Sequence, residues 1–226
     1  MTAGNLTRVQ SRVLAALASL DPPGRLVGGA AIVGFVSPHR TTRDIDYFWF
    51  ERAALGELVR DAETALRGAG FDVRSVRSAP AFHRFEVGCD DGDLVVDLVA
   101  EPFPALSVPR AVTVEGATVL VETPEELLVS KLCTLLSRQE VRDLVDVRAL
   151  ELAGLDVGAA VKDAPRRDSG FSCLTLAWLL REFPVARLAA AEKVPESQAI
   201  ELDAYRQSLV ERLLAWGQPD EPGTPR

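Results

Sequence analysis

Histidine and cysteine are scarce in this chain. Two histidines, His39 and His83, are too few for a histidine-built zinc site. The three cysteines, Cys89, Cys133 and Cys173, stand far apart and without metal-ligand spacing. That pattern fits reduced thiols in a cytoplasmic protein and excludes a disulfide framework. No apolar run is long enough to cross a bilayer: the longest, residues 26–36, is interrupted by three glycines. No membrane association is therefore expected. The first twenty residues hold neither an apolar core nor a small-residue cleavage site, so no signal peptide is read. A positive net charge is lacking too. With 33 acidic against 25 basic residues the chain carries −8, which argues against a broad basic surface for nucleic acid. Local basic patches remain, at His39-Arg40-Thr41-Thr42-Arg43 and at Arg138 with Arg142.

What is present is a chain long enough for one large domain or two small ones, with a hydrophobic content of 47% that supports a sizeable core. Apolar spacing predicts a helix over 7–20, a short strand over 25–27, a glycine turn at Gly28-Gly29, a short helix over 30–36, a strand over 44–50 and a helix over 52–69. Strands follow over 71–77, 82–89 and 94–100, with Asp90-Asp91-Gly92-Asp93 as a hairpin turn and a short pair around Glu115-Gly116. Thr123-Pro124-Glu125-Glu126 reads as a helix start, with Thr as N-cap and Pro at the first position. From there the pattern is helical, over 124–137, 139–153, 172–182 and 196–216. The composition shift predicts a mixed α/β domain over 1–122, a helical domain over 123–216 and a flexible Pro/Gly-rich tail over 217–226.

The chemistry-bearing residues begin with Asp44-Ile45-Asp46. On a strand, residues two apart point to the same face, so the two carboxylates project together while Ile45 faces the core. Like charges so placed repel, and a divalent cation between them turns repulsion into ligation. Asp97 lies in Leu94-Val95-Val96-Asp97-Leu98-Val99, where a carboxylate among aliphatic residues needs a partner. It is a natural third acid, either as general base for an attacking hydroxyl or as ligand to a second metal. Arg40 and Arg43 flank the acids on the preceding loop and offer bidentate forks to phosphate, with Thr41 and Thr42 as added donors. Farther on, Lys131 lies seven residues before Arg138 and eleven before Arg142. These are near two and three helical turns, so a helix that continues, or only bends at Arg138, would place the three cations on one stripe. Asp143 and Asp146, at i and i+3, share a face.

Taken together, Leu26-Val27-Gly28-Gly29-Ala30-Ala31, then Arg40-x-Thr42-Arg43-Asp44-Ile45-Asp46, then Asp97, then Lys131 and Arg138-x-x-x-Arg142-Asp143-x-x-Asp146 resemble the AbiEii-type nucleotidyltransferases. These belong to the DNA polymerase β-like superfamily and include toxins of the MenT kind. The resemblance runs from about Leu26 to Phe183, and the segment Gly170-Phe171 followed by Leu176-Ala177-Trp178-Leu179 also resembles the family's helical half. It implies an α+β nucleotidyltransferase fold, a mixed twisted sheet flanked by helices and followed by a helical C-terminal domain. It implies transfer of a nucleoside monophosphate from NTP to an acceptor hydroxyl, with Mg²⁺ or Mn²⁺ as cofactor. Carried onto this sequence, Asp44, Asp46 and Asp97 would hold the metal and, with Lys131, form the catalytic set. Gly28, Gly29, Arg40, Arg43, Arg138, Arg142 and Asp143 would serve the nucleotide, Asp143 by orienting Lys131 or by binding it directly. One departure stands out: many superfamily members carry Gly-Ser at the turn, and here the second residue is Gly29, so one hydroxyl contact to phosphate is missing.

The resemblance leaves the acceptor open. A toxin-like enzyme would modify tRNA ends or a protein and be paired with an antitoxin. A small-molecule enzyme would act on a cation such as an aminoglycoside, which the acidic balance favours. A non-catalytic nucleotide-binding module would not need all three acids.

Overall fold

The computed structural model describes residues 6–218. Among them the elements run α1 (Arg8–Leu17), β1 (Arg25–Val27), α2 (Gly28–Phe35), β2 (Asp44–Phe50), α3 (Leu58–Gly68), β3 (Asp72–Ala79), β4 (Phe82–Cys89), β5 (Gly92–Glu101), β6 (Arg110–Val114), β7 (Ala117–Val121), α4 (Pro124–Ser137), α5 (Val141–Leu152), α6 (Val157–Arg167), α7 (Cys173–Arg181), α8 (Val185–Ala191) and α9 (Glu196–Trp216). The class is α+β, as the sequence predicts. By contacts the chain divides into two compact units that part in sequence between Leu127 and Leu128. Residues 219–226 of the expected tail lie outside the described residues. No helix among the described residues is long and apolar enough to cross a membrane.

The first unit is built on one seven-stranded sheet in the order β3-β4-β5-β2-β1-β7-β6. Two pairings are parallel, β2 with β5 and β1 with β7, and the rest are antiparallel. Period-two alternation decides the faces. Along β2, Ile45, Tyr47 and Trp49 are buried while Asp44, Asp46, Phe48 and Phe50 alternate with them on the other face. Val96, Leu98 and Ala100 of β5 and His83, Phe85 and Val87 of β4 continue the buried face. The helices carry matching apolar stripes: Val13, Leu14 and Leu17 on α1, and Leu58, Ala62 and Leu66 on α3, which packs against it. Thr7 caps α1 through a reciprocal capping box with Gln10.

Where element ends differ from the expected ones, backbone partners explain it. The helix expected from residue 52 begins at Leu58, because Arg52 N–H bonds the Glu101 carbonyl and Leu55 N–H bonds the Pro80 carbonyl. Gly56, at φ 57°, then turns the chain into the helix. Thr123 caps α4 as its sequence predicts, accepting from Glu126 N–H. The Glu126 carboxylate ties down a loop, accepting from Leu106 N–H at 2.7 Å and Ser107 N–H at 3.1 Å.

The second unit is helical. α9 packs with α7, α8 and α5. Glu151 of α5 receives Arg212 and the Tyr205 hydroxyl, both from α9. The helix expected over 139–153 starts at Val141, and two helices, α6 and α8, lie outside the expected segments. α6 has a readable start, Asp156 capping Gly158 and Ala159 N–H, but Pro165 within it disguises the helix. α8 is only seven residues long and follows directly on Pro184.

Candidate active site

The first unit assembles its acids by strand register. Asp46 of β2 is the Cα partner of Asp97 on parallel β5, and Asp44 is the partner of Val95. In-register partners share a face, so Asp44, Asp46 and Asp97 all project from the side of the sheet opposite the core. On β4, the Cα partner of Asp97 is Arg84. The Arg84 guanidinium grips Asp97 at two points, Nε to Oδ1 at 2.7 Å and Nη2 to Oδ2 at 2.6 Å. Those hydrogen bonds raise the Arg84 pKa above its ordinary value, against the opposing effect of partial burial, and the charges of Asp46 and Asp44 add to the rise. Sequence inspection missed Arg84, although the signal was present. A two-residue turn at Asp90-Asp91 pairs Cys89 with Gly92, and counting back along the hairpin sets Arg84 opposite Asp97.

The glycine turn meets the acids. Gly28 opens α2 with φ 66°, a left-handed conformation that suits glycine. Its predecessor Val27 pairs with Asp46 across β1 and β2. A Cβ on Gly28 would stand 2.2 Å from Asp46 Oδ2, so the carboxylate lies directly against the start of α2. A Cβ on Gly29 would stand 2.5 Å from Arg40 Nη2 and 3.5 Å from Thr42 Oγ1. The space a serine side chain would take in a Gly-Ser turn is thus filled here by a guanidinium. That accounts for the missing hydroxyl noted in the sequence.

The loop before β2 parts its two arginines. Arg40 reaches Gly29 and bonds the Thr41 carbonyl at 3.1 Å. Arg43 lines an open groove of ≈480 Å³ with Asp72, Arg74, Glu86, Asp93 and Val95. Thr42 donates its hydroxyl to Asp44, and its carbonyl accepts from Gln10 of α1 at 3.1 Å. The loop is therefore tied both to the helix layer and to the first acid.

In the second unit the predicted cations converge by a helix break instead of a continuous stripe. α4 ends at Ser137 and α5 begins at Val141, and the intervening bend folds Arg138 back onto Asp143. Lys131 Nζ lies 2.8 Å from Asp143 Oδ1 and 2.8 Å from Asp146 Oδ2, and both aspartate side chains are fully buried. Arg138 contributes two further bonds to Asp143, at 2.8 and 3.0 Å. Burial pushes the Asp143 pKa upward, but the hydrogen bonds from Arg138 and the charge of Lys131 outweigh it and hold the carboxyl below its usual range. Asp143 is thus ion-paired with both Lys131 and Arg138. Arg142 instead pairs with Glu140, at 2.5 Å.

The carboxylate face suits a hard divalent cation in donor chemistry: its donors are all oxygens on one face, beside a glycine cradle that a Cβ would fill. Among the described residues no three His, Cys, Asp or Glu side chains close into a metal-holding group. Asp97 is engaged by Arg84, whose positive charge already compensates the face.

Comparison with known proteins finds a family match and similar folds. The family model described as Nucleotidyl transferase AbiEii toxin, Type IV TA system, matches residues 12–212. Among solved structures, the MenT4 nucleotidyltransferase toxin of Mycobacterium tuberculosis H37Rv aligns with a TM-score of 0.56 at 17% identity, covering 92% of this chain and 85% of that one. JHP933 from Helicobacter pylori aligns with a TM-score of 0.48 at 18% identity, covering 90% of each chain. A search of curated protein sequences returns no match.

Proposed function

Because the chain belongs to the AbiEii nucleotidyl transferase toxin family of Type IV toxin–antitoxin systems, we propose that it moves a nucleoside monophosphate from an NTP to the hydroxyl of a macromolecular acceptor, a tRNA end or a protein, and works opposite an antitoxin. The observation that carries the reading is the contact of Asp46 with the Gly28 turn, with Asp97 as the neighbouring strand partner. One place thus offers carboxylates and the positive end of a short helix, and phosphoryl transfer needs both.

In this reading Asp44 and Asp46 would hold Mg²⁺, with Asp97 as the third acid of the face. The cation, when bound, would neutralise the triphosphate and lower the barrier to attack at the α-phosphorus. The acceptor oxygen bonds to the α-phosphorus while the bond to the bridging oxygen of pyrophosphate breaks, and the hydroxyl proton passes to a base. Gly28 and Gly29 have no side chain of their own to keep an anionic oxygen from the N–H groups at the start of α2. Arg40, seated over Gly29, supplies a guanidinium where other members of the superfamily supply a serine hydroxyl.

The test is incubation with each α-labelled NTP, Mg²⁺ and cell lysate, with the labelled product sized as RNA, protein or small molecule. Label on RNA or protein is the expected result. Label confined to small molecules would give the acceptor to the aminoglycoside-like alternative. Transfer that survives Asp44→Asn with Asp46→Asn would sink the reading.

A further inference from the structure

We propose that Arg84 is an electrostatic lock on the carboxylate face, holding Asp97 in a two-point pair so that cation binding at Asp44 and Asp46 depends on arrival of the nucleotide. The inference rests on the reading of that face as a cation site, and it adds a residue that neither the sequence motifs nor the family motif order singles out.

Strand register places the arginine beside the acids. Arg84, Asp97 and Asp46 occupy matched positions on the adjacent strands β4, β5 and β2. Neighbouring strands lie about 4.8 Å apart, so the guanidinium stands well within electrostatic reach of a cation seated at Asp46. The pair with Asp97 engages both carboxylate oxygens at charge-assisted distances of 2.7 and 2.6 Å. The Asp97 side chain is 10% exposed and that of Arg84 is 44% exposed. The acid is therefore held in place, while the arginine keeps a route to solvent.

The seat of the arginine fixes its charge. Its Cζ lies 5.8 Å over the ring of Phe82, which stands two residues earlier on the same face of β4. The guanidinium is thus braced between an aromatic ring and a carboxylate, so the charge is positioned and not merely tethered.

Charge balance links the cation to the nucleotide. Three acids attract a divalent cation strongly, and a fixed arginine beside them weakens that attraction. A triphosphate reverses the situation, since its oxygens offer the guanidinium the same bidentate acceptors that Asp97 does. Arg84 can then change partners, Asp97 is released to the face, and cation and nucleotide bind together. An enzyme so built does not assemble its charged site until substrate is present.

The experiment measures Mn²⁺ binding by electron paramagnetic resonance, without nucleotide and with a non-hydrolysable NTP analogue, in the wild type, Arg84→Gln, Arg84→Met, Arg84→Lys and Asp46→Asn. Arg84→Met keeps an apolar stem against Phe82 and serves if the glutamine variant folds poorly. The uncharged variants should bind Mn²⁺ about tenfold more tightly than the wild type without nucleotide, since a nearby like charge is gone. The gain that the nucleotide analogue confers should shrink in the same variants. Arg84→Lys, which keeps the charge, should stay near the wild type. Unchanged or weaker nucleotide-free binding in the uncharged variants would overturn the lock while leaving the cation site standing, provided Asp46→Asn abolishes binding. Binding that survives Asp46→Asn would remove the cation site itself, and the lock with it.

Discussion

A Cβ added to Gly28 would stand 2.2 Å from Oδ2 of Asp46. Backbone turn and carboxylate are packed so closely that neither can change alone. Gly28 also sits at φ 66°, where an L-residue costs about 1–2 kcal/mol. Gly28→Ala should therefore lose about that much stability by urea denaturation. It should lose far more function, because the methyl group must push Asp46 aside. A displacement of about 1 Å at a reacting centre costs on the order of a hundredfold in rate. Label transfer that stays near the wild-type rate in a folded Gly28→Ala protein would show that the Asp46 carboxylate is not where the chemistry happens.

Gly29 behaves differently because its neighbour can yield. The clash there is with Arg40 Nη2, the far end of a flexible side chain. Gly29→Ala should leave stability within about 1 kcal/mol, since alanine is the better helix former and the arginine can swing away. The displaced guanidinium should raise KM for NTP, by about tenfold, with kcat largely kept, the signature of lost uniform binding. Arg40→Ala should show the same split. Equal losses in kcat and kcat/KM would instead place Arg40 in transition-state stabilisation.

The residues that could be read ahead of the structure are those whose position follows from local spacing. Asp44 and Asp46 needed only the period of a strand, and β2 runs over the expected residues because Ile45, Tyr47 and Trp49 alternate with them. The first acid set was legible for that reason. Arg84 was not found because its meaning comes from a register between strands. The hairpin at Asp90-Asp91 carries that register, but only once the turn length is fixed at two residues. Arg40 and Arg43 looked equivalent in a loop with no periodicity, and only tertiary contacts send one to Gly29 and the other to the groove beside Asp93. The stripe for Lys131, Arg138 and Arg142 requires a helix that continues or only bends at Arg138. The break between Ser137 and Val141 replaces it with a knot around Asp143, which brings Arg138 to the same acid as Lys131 and leaves Arg142 to Glu140.

That knot predicts a stability phenotype for a residue that the motifs alone assign to chemistry. Lys131 is buried with two fully buried aspartates 2.8 Å away. Removing one partner of a buried ion pair costs about 3–5 kcal/mol, because the remaining charge stays desolvated. Lys131→Met should lose about that much, a large share of a typical stability of roughly 5–15 kcal/mol. Lys131→Met combined with Asp146→Leu should recover part of it, since one of the two buried carboxylates that paired with the lysine goes too. A loss of activity in Lys131→Met at a temperature where it melts would therefore say nothing about catalysis, so melting curves must accompany the assay. A Lys131→Met protein as stable as the wild type would refute the structural role.

Acidification should act through the same acid. The folded-state pKa of Asp143 lies below its ordinary value, because the bonds from Arg138 and the charge of Lys131 outweigh the upward push of burial. As pH falls, the unfolded chain takes up this proton first, near the usual aspartate value of about 3.9. The stability contributed by the ionised carboxylate is whole above that value and is lost as pH falls through the lower folded-state pKa. Glu151, whose burial is outweighed by Arg212 and Tyr205, carries the same sign near about 4.3. Thermal midpoints should therefore be level from pH 7 to about pH 5 and drop below about pH 4. Asp143→Asn should start from a lower midpoint at pH 7, because the amide cannot pair with Lys131 and Arg138 as a charge. Its decline in acid should also be shallower, because one linked proton is gone. A mutant curve that parallels the wild type all the way to pH 3 would show that Asp143 does not drive the acid limb.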